Sequence, residues 1–291
     1  MYSMCDLMIE NYAYLENTRR VCDAYNPEGE TITYQGNRVE TGFYEFDRVV
    51  GGLKRDGLTI LAGERGCGLT SLALNMIAHH TLTARDGGEI DYVVMITNDL
   101  LPQKLSMRLL SLLSGIELRR MQTGYLGEGE WKALAVASGM LAESTIHISY
   151  QKELVAQNIR SACLEIKKKY HHLDLVVIDD LNLMSSPANP DEYEQRLGEE
   201  VQNLSVFAGE LGAPILALAE IAQKADFQAG SNFCDVSNVL YQNAHEVLKL
   251  YRRGRYAELS TIKPLSHFTA KASLIFSTQM MKFAGDVESP G

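Results

Sequence analysis

The 291-residue chain has no run of about 18 or more apolar residues, so no membrane-spanning helix is expected. Its five cysteines, Cys5, Cys22, Cys67, Cys163 and Cys234, are scattered, odd in number and free of any C-x-x-C spacing. That pattern argues against a disulfide framework or a thiolate metal site, and for a reduced, cytoplasmic setting. The opening MYSMCDLMIENY has acids and no basic leader, so no secretory signal is expected. Positive charge is in deficit: 27 Lys and Arg stand against 37 Asp and Glu, a net charge of −10. A chain whose main task is gripping nucleic acid neutralises phosphates with Lys and Arg. This balance disfavours that task and leaves room for a local basic patch. The single tryptophan, Trp131, is expected in the core. The pairs His79-His80 and His171-His172 are expected on the surface rather than as ligands.

The length suits one large domain or one domain plus a small appendage, and an apolar content of 46% suits a full core. The expected division is an N-terminal amphipathic helix and linker at 1–30, a main domain at 31–284 and a loose tail at 285–291. The helix is read over 3–25, where Met4, Leu7, Met8, Tyr12, Leu15 and Cys22 make one apolar stripe. The stripe packs either on its own domain or on a neighbouring subunit. YNPEGE, Tyr25–Glu30, is a turn-rich break.

The most informative stretch is LTILAGERGCGLTSLALNMIAHH, residues 58–80. It reads as a buried strand (Leu58–Ala62), a glycine-rich turn (Gly63–Gly68) and a helix opening near Thr70. Strand, G-x-x-x-x-G-K-S/T and helix make a phosphate-binding loop. Gly63 and Gly68 have the right spacing, and Thr70 stands where a hydroxyl would reach Mg²⁺. The lysine position holds Leu69. The candidate nucleotide-binding residues are Gly63, Glu64, Arg65, Gly66, Cys67, Gly68, Leu69, Thr70 and Ser71. Arg65 offers a substitute charge, but its position does not match the lysine. Cys67 is either a thiol activated by the helix N-terminus or a small residue suited to a tight turn.

Around this loop, apolar runs and periodic segments alternate. A short helix is read over Phe43–Val50, strands over Asp91–Thr97 and Thr145–Tyr150, and helices over Leu101–Leu113 and Leu154–Tyr170. Residues 115–144 read as helical with a break at Gly124–Gly129. Lys167, Lys168 and Lys169 form the basic end of a helix. Ser185–Asp191 is a loop, Tyr193–Gly212 a long helix and Pro214–Ala219 a buried strand ending at Glu220. Strands follow at Glu246–Tyr251, Tyr256–Ile262 and Lys271–Ser277. Leu173–Ile178, a run followed by Asp179-Asp180, has the form of a Walker B strand whose acid attends Mg²⁺. The alternation predicts an α/β fold: a mainly parallel central sheet flanked by helices, with β-strands added at the C-terminal end.

Six segments in order resemble the C-terminal RecA-like motor domain of DnaB-type replicative helicases, from about Thr41 to Phe283. TGFYEFDRVVGGL resembles the family's T-G-F-x-x-L-D-x-x-x-G-G-L motif. LTILAGERGCGLTSLALNMI is similar to its P-loop and following helix. VVMITNDLLPQKLSMRLLS resembles the strand that ends in the catalytic Glu, and puts Asp99 at that position. MQTGYLGEGEW resembles x-x-T-G-x-L-x-x-x-D/E-W. LDLVVIDDLNLM resembles the Walker B strand, with Asp179 as the metal-associated acid. PILALAEIAQ resembles the strand whose Gln senses the γ-phosphate, with Glu220 at that Gln. The family's K-Q-R-N-G segment, whose Lys and Arg reach a neighbour's γ-phosphate, aligns with Lys263-Pro264-Leu265-Ser266-His267.

The resemblance implies a RecA-like fold, ATP and Mg²⁺ as cofactors, Asp99, Asp179, Glu220 and Lys263 at catalytic positions, and Thr70 with Asp179 at the metal. It also implies a hexameric ring with nucleotide between subunits, and single-stranded DNA or other replication proteins as partners. The departures point the other way. Leu69 replaces the loop lysine, Leu265 replaces the finger arginine, and Glu220 replaces a neutral amide. The expected DNA loop near 224–245 has one lysine and no arginine, and no collar domain is expected ahead of the first helix. YRRGRY, Tyr251–Tyr256, is either a DNA contact through Arg252, Arg253 and Arg255 or a solvated hairpin turn. The expected function is therefore a degenerate DnaB-like module with weak or absent ATP hydrolysis, acting as partner, regulator or scaffold. The alternatives are a working helicase with relocated charges and a RecA-like enzyme of other chemistry.

Overall fold

The computed structural model describes residues 38–82, 91–183, 190–221, 238–264 and 270–285. The expected 3–25 helix, most of the 224–245 segment, residues 265–267 and the tail beyond Gly285 lie outside these residues.

Nine strands form one sheet among the described residues, in the order β11-β10-β9-β8-β3-β7-β6-β4-β5. Its centre is β3 (Leu58–Glu64), with β4 (Val93–Thr97), β5 (Ile146–Tyr150), β6 (Leu175–Asp179), β7 (Ile215–Ile221) and β8 (Glu246–Arg253) all running parallel to it. β3, β4 and β6 are buried on both faces, which is why they are continuous apolar runs rather than alternating ones. β9 (Tyr256–Lys263), β10 (Lys271–Ser277) and β11 (Lys282–Gly285) extend the sheet antiparallel, so their burial alternates. A two-stranded ribbon, β1 (Arg38–Val39) with β2 (Leu53–Lys54), stands apart.

Helices cover both faces. α1 (Tyr44–Val50), α2 (Leu69–Leu82) and α3 (Pro102–Ser114) share a core with Leu61, Met95, Val177 and Leu218. α6 (Ala156–Tyr170), α7 (Pro190–Leu211) and α8 (Asn238–Asn243) pack with Leu58, Ile60, Val94, Val176 and Ile215. Neighbours along each strand thus serve opposite cores. α4 (Leu118–Thr123) and α5 (Glu128–Glu143) lie outside the first core, separated by the expected glycine break. At the start of the domain, the Asp47 carboxylate takes the N–H groups of Thr41 and Gly42, each at 2.9 Å, and the Thr41 hydroxyl at 2.8 Å. That folds the T-G-F turn onto α1.

The structure corrects several expectations. α7 begins at Pro190, inside the stretch read as a loop, because proline is compatible with a first helical turn. β7 runs through Glu220 to Ile221. α8 and β11 were not expected, and both are short. His80 is buried rather than on the surface, its ring 3.2 Å from the Asp91 carboxylate. Trp131 is 53% exposed on α5, not in the core. Lys167 does end a helix, and its ammonium reaches the Leu211 carbonyl at 2.5 Å.

Candidate functional site

Parallel strands bring their carboxyl ends to one edge, where such sheets bind ligands. Register fixes what meets there. Gly63 lies opposite Glu220 on one side and Leu250 on the other, and Thr97 lies opposite Asp179. The end of β3, the acid of β6 and the exposed Glu220 of β7 therefore share one rim, with Asp99 just beyond the end of β4.

The loop between β3 and α2 is a tight turn. Cys67 N–H donates to the Glu64 carbonyl at 3.0 Å, and Leu72 N–H to Gly68 at 2.8 Å. Gly66 and Gly68 take φ of 78° and 109°, the left-handed region where a side chain is strained. A Cβ at Gly63 would lie 2.6 Å from Cys67 Sγ and 2.8 Å from the Leu250 carbonyl. Left-handed glycines just ahead of a helix N-terminus are a backbone arrangement suited to phosphate oxygens. Cys67 is buried in this turn, and burial pushes its thiol up to about 11, the direction opposite to activation.

Charge is where the cradle departs from its shape. Leu69 is 7% exposed and belongs to the apolar core with Leu72 and Phe283, so its side chain has turned inward. Arg65 is 91% exposed at its side chain, with Glu220 at 4.0 Å. Ser71 is buried and donates its hydroxyl to Met281 Sδ at 3.6 Å. Thr70 donates its hydroxyl to Asp179 Oδ2 at 3.1 Å. This pair fits Mg²⁺, a hard cation that takes oxygen ligands. Burial pushes Asp179 up to about 7, and repulsion from Asp180 and Asp99 adds to the shift while Thr70 and Arg108 oppose it. Burial likewise pushes Asp180 up to about 6, with Glu220 and Asp99 adding repulsion. Four carboxyls thus crowd one rim, and sequence reasoning gave Asp180 no role of its own.

Two other candidate groups sit elsewhere. Lys263 pairs opposite Val247, level with Ile60, away from the rim. Its ammonium holds the carbonyls at the end of α8, with Tyr241 at 2.7 Å and Ala244 at 2.6 Å. Desolvation lowers its pKa. YRRGRY forms the β8–β9 hairpin, turning at Gly254 with φ of 64°. Arg253 and Arg255 are exposed there, and Arg255 donates to its neighbour Tyr256 Oη at 2.8 Å. Arg252 is different: it reaches back to the β3–α2 loop, donating to Gly66 O at 2.6 Å and Cys67 O at 2.9 Å. Sequence gave no signal for that contact, which joins residues 185 apart.

Residues 38–284 match the family described as the DnaB-like helicase C-terminal domain. The replicative DNA helicase DnaC of Bacillus subtilis is 28% identical over 256 residues, covering 86% of this chain and 53% of the relative. The replicative DNA helicase DnaB of Geobacillus stearothermophilus matches to the same extent. The chain therefore spans about half the length of the curated relatives it matches. Among solved structures, an ATPase domain superposes with a TM-score of 0.78 at 20% identity, covering 98% of this chain and 99% of that one. A DnaB-like replicative helicase, studied with its interactions with primase, gives 0.77 at 20% identity, covering 97% of this chain and 67% of that one. These two establish the RecA-like helicase ATPase fold.

Proposed function

The chain belongs to the DnaB-like helicase C-terminal domain family, and from that premise we propose that it is a motor module with an impaired engine. It binds nucleotide weakly or not at all, hydrolyses it very slowly, and serves DNA replication as a partner, regulator or scaffold of other proteins. The observation that carries this reading is Leu69, buried in the core where the loop's cation belongs, beside a rim of four carboxyls.

Losing the lysine removes a charge-assisted hydrogen bond to phosphate, roughly 1.5–3 kcal/mol or about 10- to 100-fold in affinity. Losing an arginine finger costs on the order of 10³–10⁵ in rate where one is used. Glu220 adds a negative charge where the γ-phosphate would lie. Mg²⁺, held by Thr70 and Asp179, would supply the charge neutralisation that these carboxyls oppose. The loop N–H groups would bind the phosphate chain, and Thr70 would orient the metal. Ring assembly and single-stranded DNA binding are carried over from the resemblance alone. Light scattering with and without nucleotide tests the ring.

An ATPase assay by phosphate release decides the main reading. Turnover of about 1 s⁻¹ or faster, stimulated by DNA, contradicts it, since that rate is typical of working phosphoryl-transfer enzymes. A Leu69→Lys variant that gains tight ATP binding identifies the loop as a relict.

A further inference from the structure

We propose that Arg252 is a positioning residue that holds the phosphate loop in its anion-receiving shape from behind. The proposal rests on the reading of this loop as a nucleotide cradle. Three donors of one guanidinium are engaged: Nη2 with Gly66 O at 2.6 Å, Nε with Cys67 O at 2.9 Å and Nη1 with Gly254 O at 2.8 Å. The planar fork spans two successive loop carbonyls and the hairpin turn together, which a lysine ammonium cannot reproduce. The guanidinium lies 5.1 Å from the Phe276 ring centroid, and Phe276 stacks on Phe283 at 4.2 Å. Both rings back the same loop, since a Cβ at Gly68 would lie 3.0 Å from Phe283 and 3.6 Å from Phe276.

The direction of these bonds gives the contact its consequence. Arg252 draws the Gly66 and Cys67 carbonyls away from the cradle, which leaves the N–H side of the turn for an anion. Leu69 supplies no cation at the front of the loop, so the fixing charge comes from β8. The bond network also redirects Arg252 from the DNA role expected of YRRGRY, because its fork is spent on backbone carbonyls.

Amide hydrogen exchange of residues 64–69 in the nucleotide-free full chain is the direct test. In Arg252→Gln the loop exchanges about tenfold faster or more, as loss of charged hydrogen bonds implies. Arg252→Lys recovers part of the protection, while Lys132→Gln, the same charge change on α5, leaves the loop unchanged. Unaltered exchange in Arg252→Gln overturns the proposal. If that variant does not fold, Arg252→Lys against the native chain decides by the same criterion. In a second arm, mant-ADP with Mg²⁺ is titrated into Leu69→Lys and Leu69→Lys/Arg252→Gln. Weakening of about tenfold in the double variant supports the positioning role, and equal affinity overturns it. If Leu69→Lys itself fails to bind mant-ADP, the nucleotide reading falls, and the exchange result still decides the role of Arg252.

Discussion

The Thr70 hydroxyl donates to Asp179 Oδ2 at 3.1 Å, joining two segments 109 residues apart where β3 hands over to α2. Asp179 is buried, so this bond offsets part of the cost of placing a carboxyl there. Removing the donor leaves a buried acceptor without that partner, a loss of about 1–3 kcal/mol. Thr70→Val is expected to lose that much in urea denaturation, and Thr70→Ser, which keeps the hydroxyl, much less. Equal losses in the two variants would assign the effect to packing instead.

Another buried carboxyl lies at the opposite end of the sheet. Glu246 opens β8, is fully buried and faces Arg38 of β1 at 3.5 Å. Burial pushes it up to about 7 from 4.5, against the pull of Arg38 and of the Thr59 hydroxyl on β3. A carboxyl raised on folding contributes its stability fully below its unfolded pKa and loses it as pH rises through the folded value. Between about pH 4.5 and 7, then, Glu246 makes the fold less stable with each step upward. The fall in melting temperature from pH 5 to pH 8 is expected to be shallower in Glu246→Gln than in the native chain. Parallel curves would remove Glu246 as a cause.

Much of this architecture was legible because burial writes itself into sequence. Strands covered on both faces need unbroken apolar runs, and LTILA, VVMIT and LVVI supplied them. The spacing of Gly63 and Gly68 and the Asp179 that ends an apolar run point to the edge where β3 and β6 finish. Illegible features depend on side-chain pairings that no periodicity marks, at short or long separation. His80 is in the core with Asp91, and Arg252 reaches the loop across 185 positions. Neither pairing has a local pattern. β11 escaped because KFAG has one buried residue, Phe283, and four residues carry little periodicity.

Trp131 shows the reverse error, since an apolar side chain need not be inside. Of the 16 residues in α5, Ala137 is the one buried; Trp131 is 53% exposed and nearby Tyr125 87%. Trp131 is the sole tryptophan, so its emission reports on this helix alone. The dilute native protein is expected to show red-shifted emission, quenched by acrylamide nearly as well as the denatured chain. Blue-shifted, quencher-protected emission would mean that α5 is covered in solution.

Two loop glycines test the cradle by different physics. Gly66 has open space around a Cβ but a φ of 78°, so Gly66→Ala costs only the left-handed backbone, roughly 1–2 kcal/mol. Gly63 has the opposite problem: its Cβ would meet Cys67 Sγ at 2.6 Å and the Leu250 carbonyl at 2.8 Å. The carbonyl belongs to β8, hydrogen-bonded in the sheet, and cannot step aside cheaply. Overpacking of this kind costs about 1–3 kcal/mol and displaces the turn itself. Adding Cys67→Ala removes the sulfur clash and leaves the carbonyl clash. Gly63→Ala is therefore expected to recover only part of its lost stability in the Cys67→Ala background, while Gly66→Ala is unaffected by it. Full recovery would show that the strand can yield, and that β8 is not the rigid wall of the cradle.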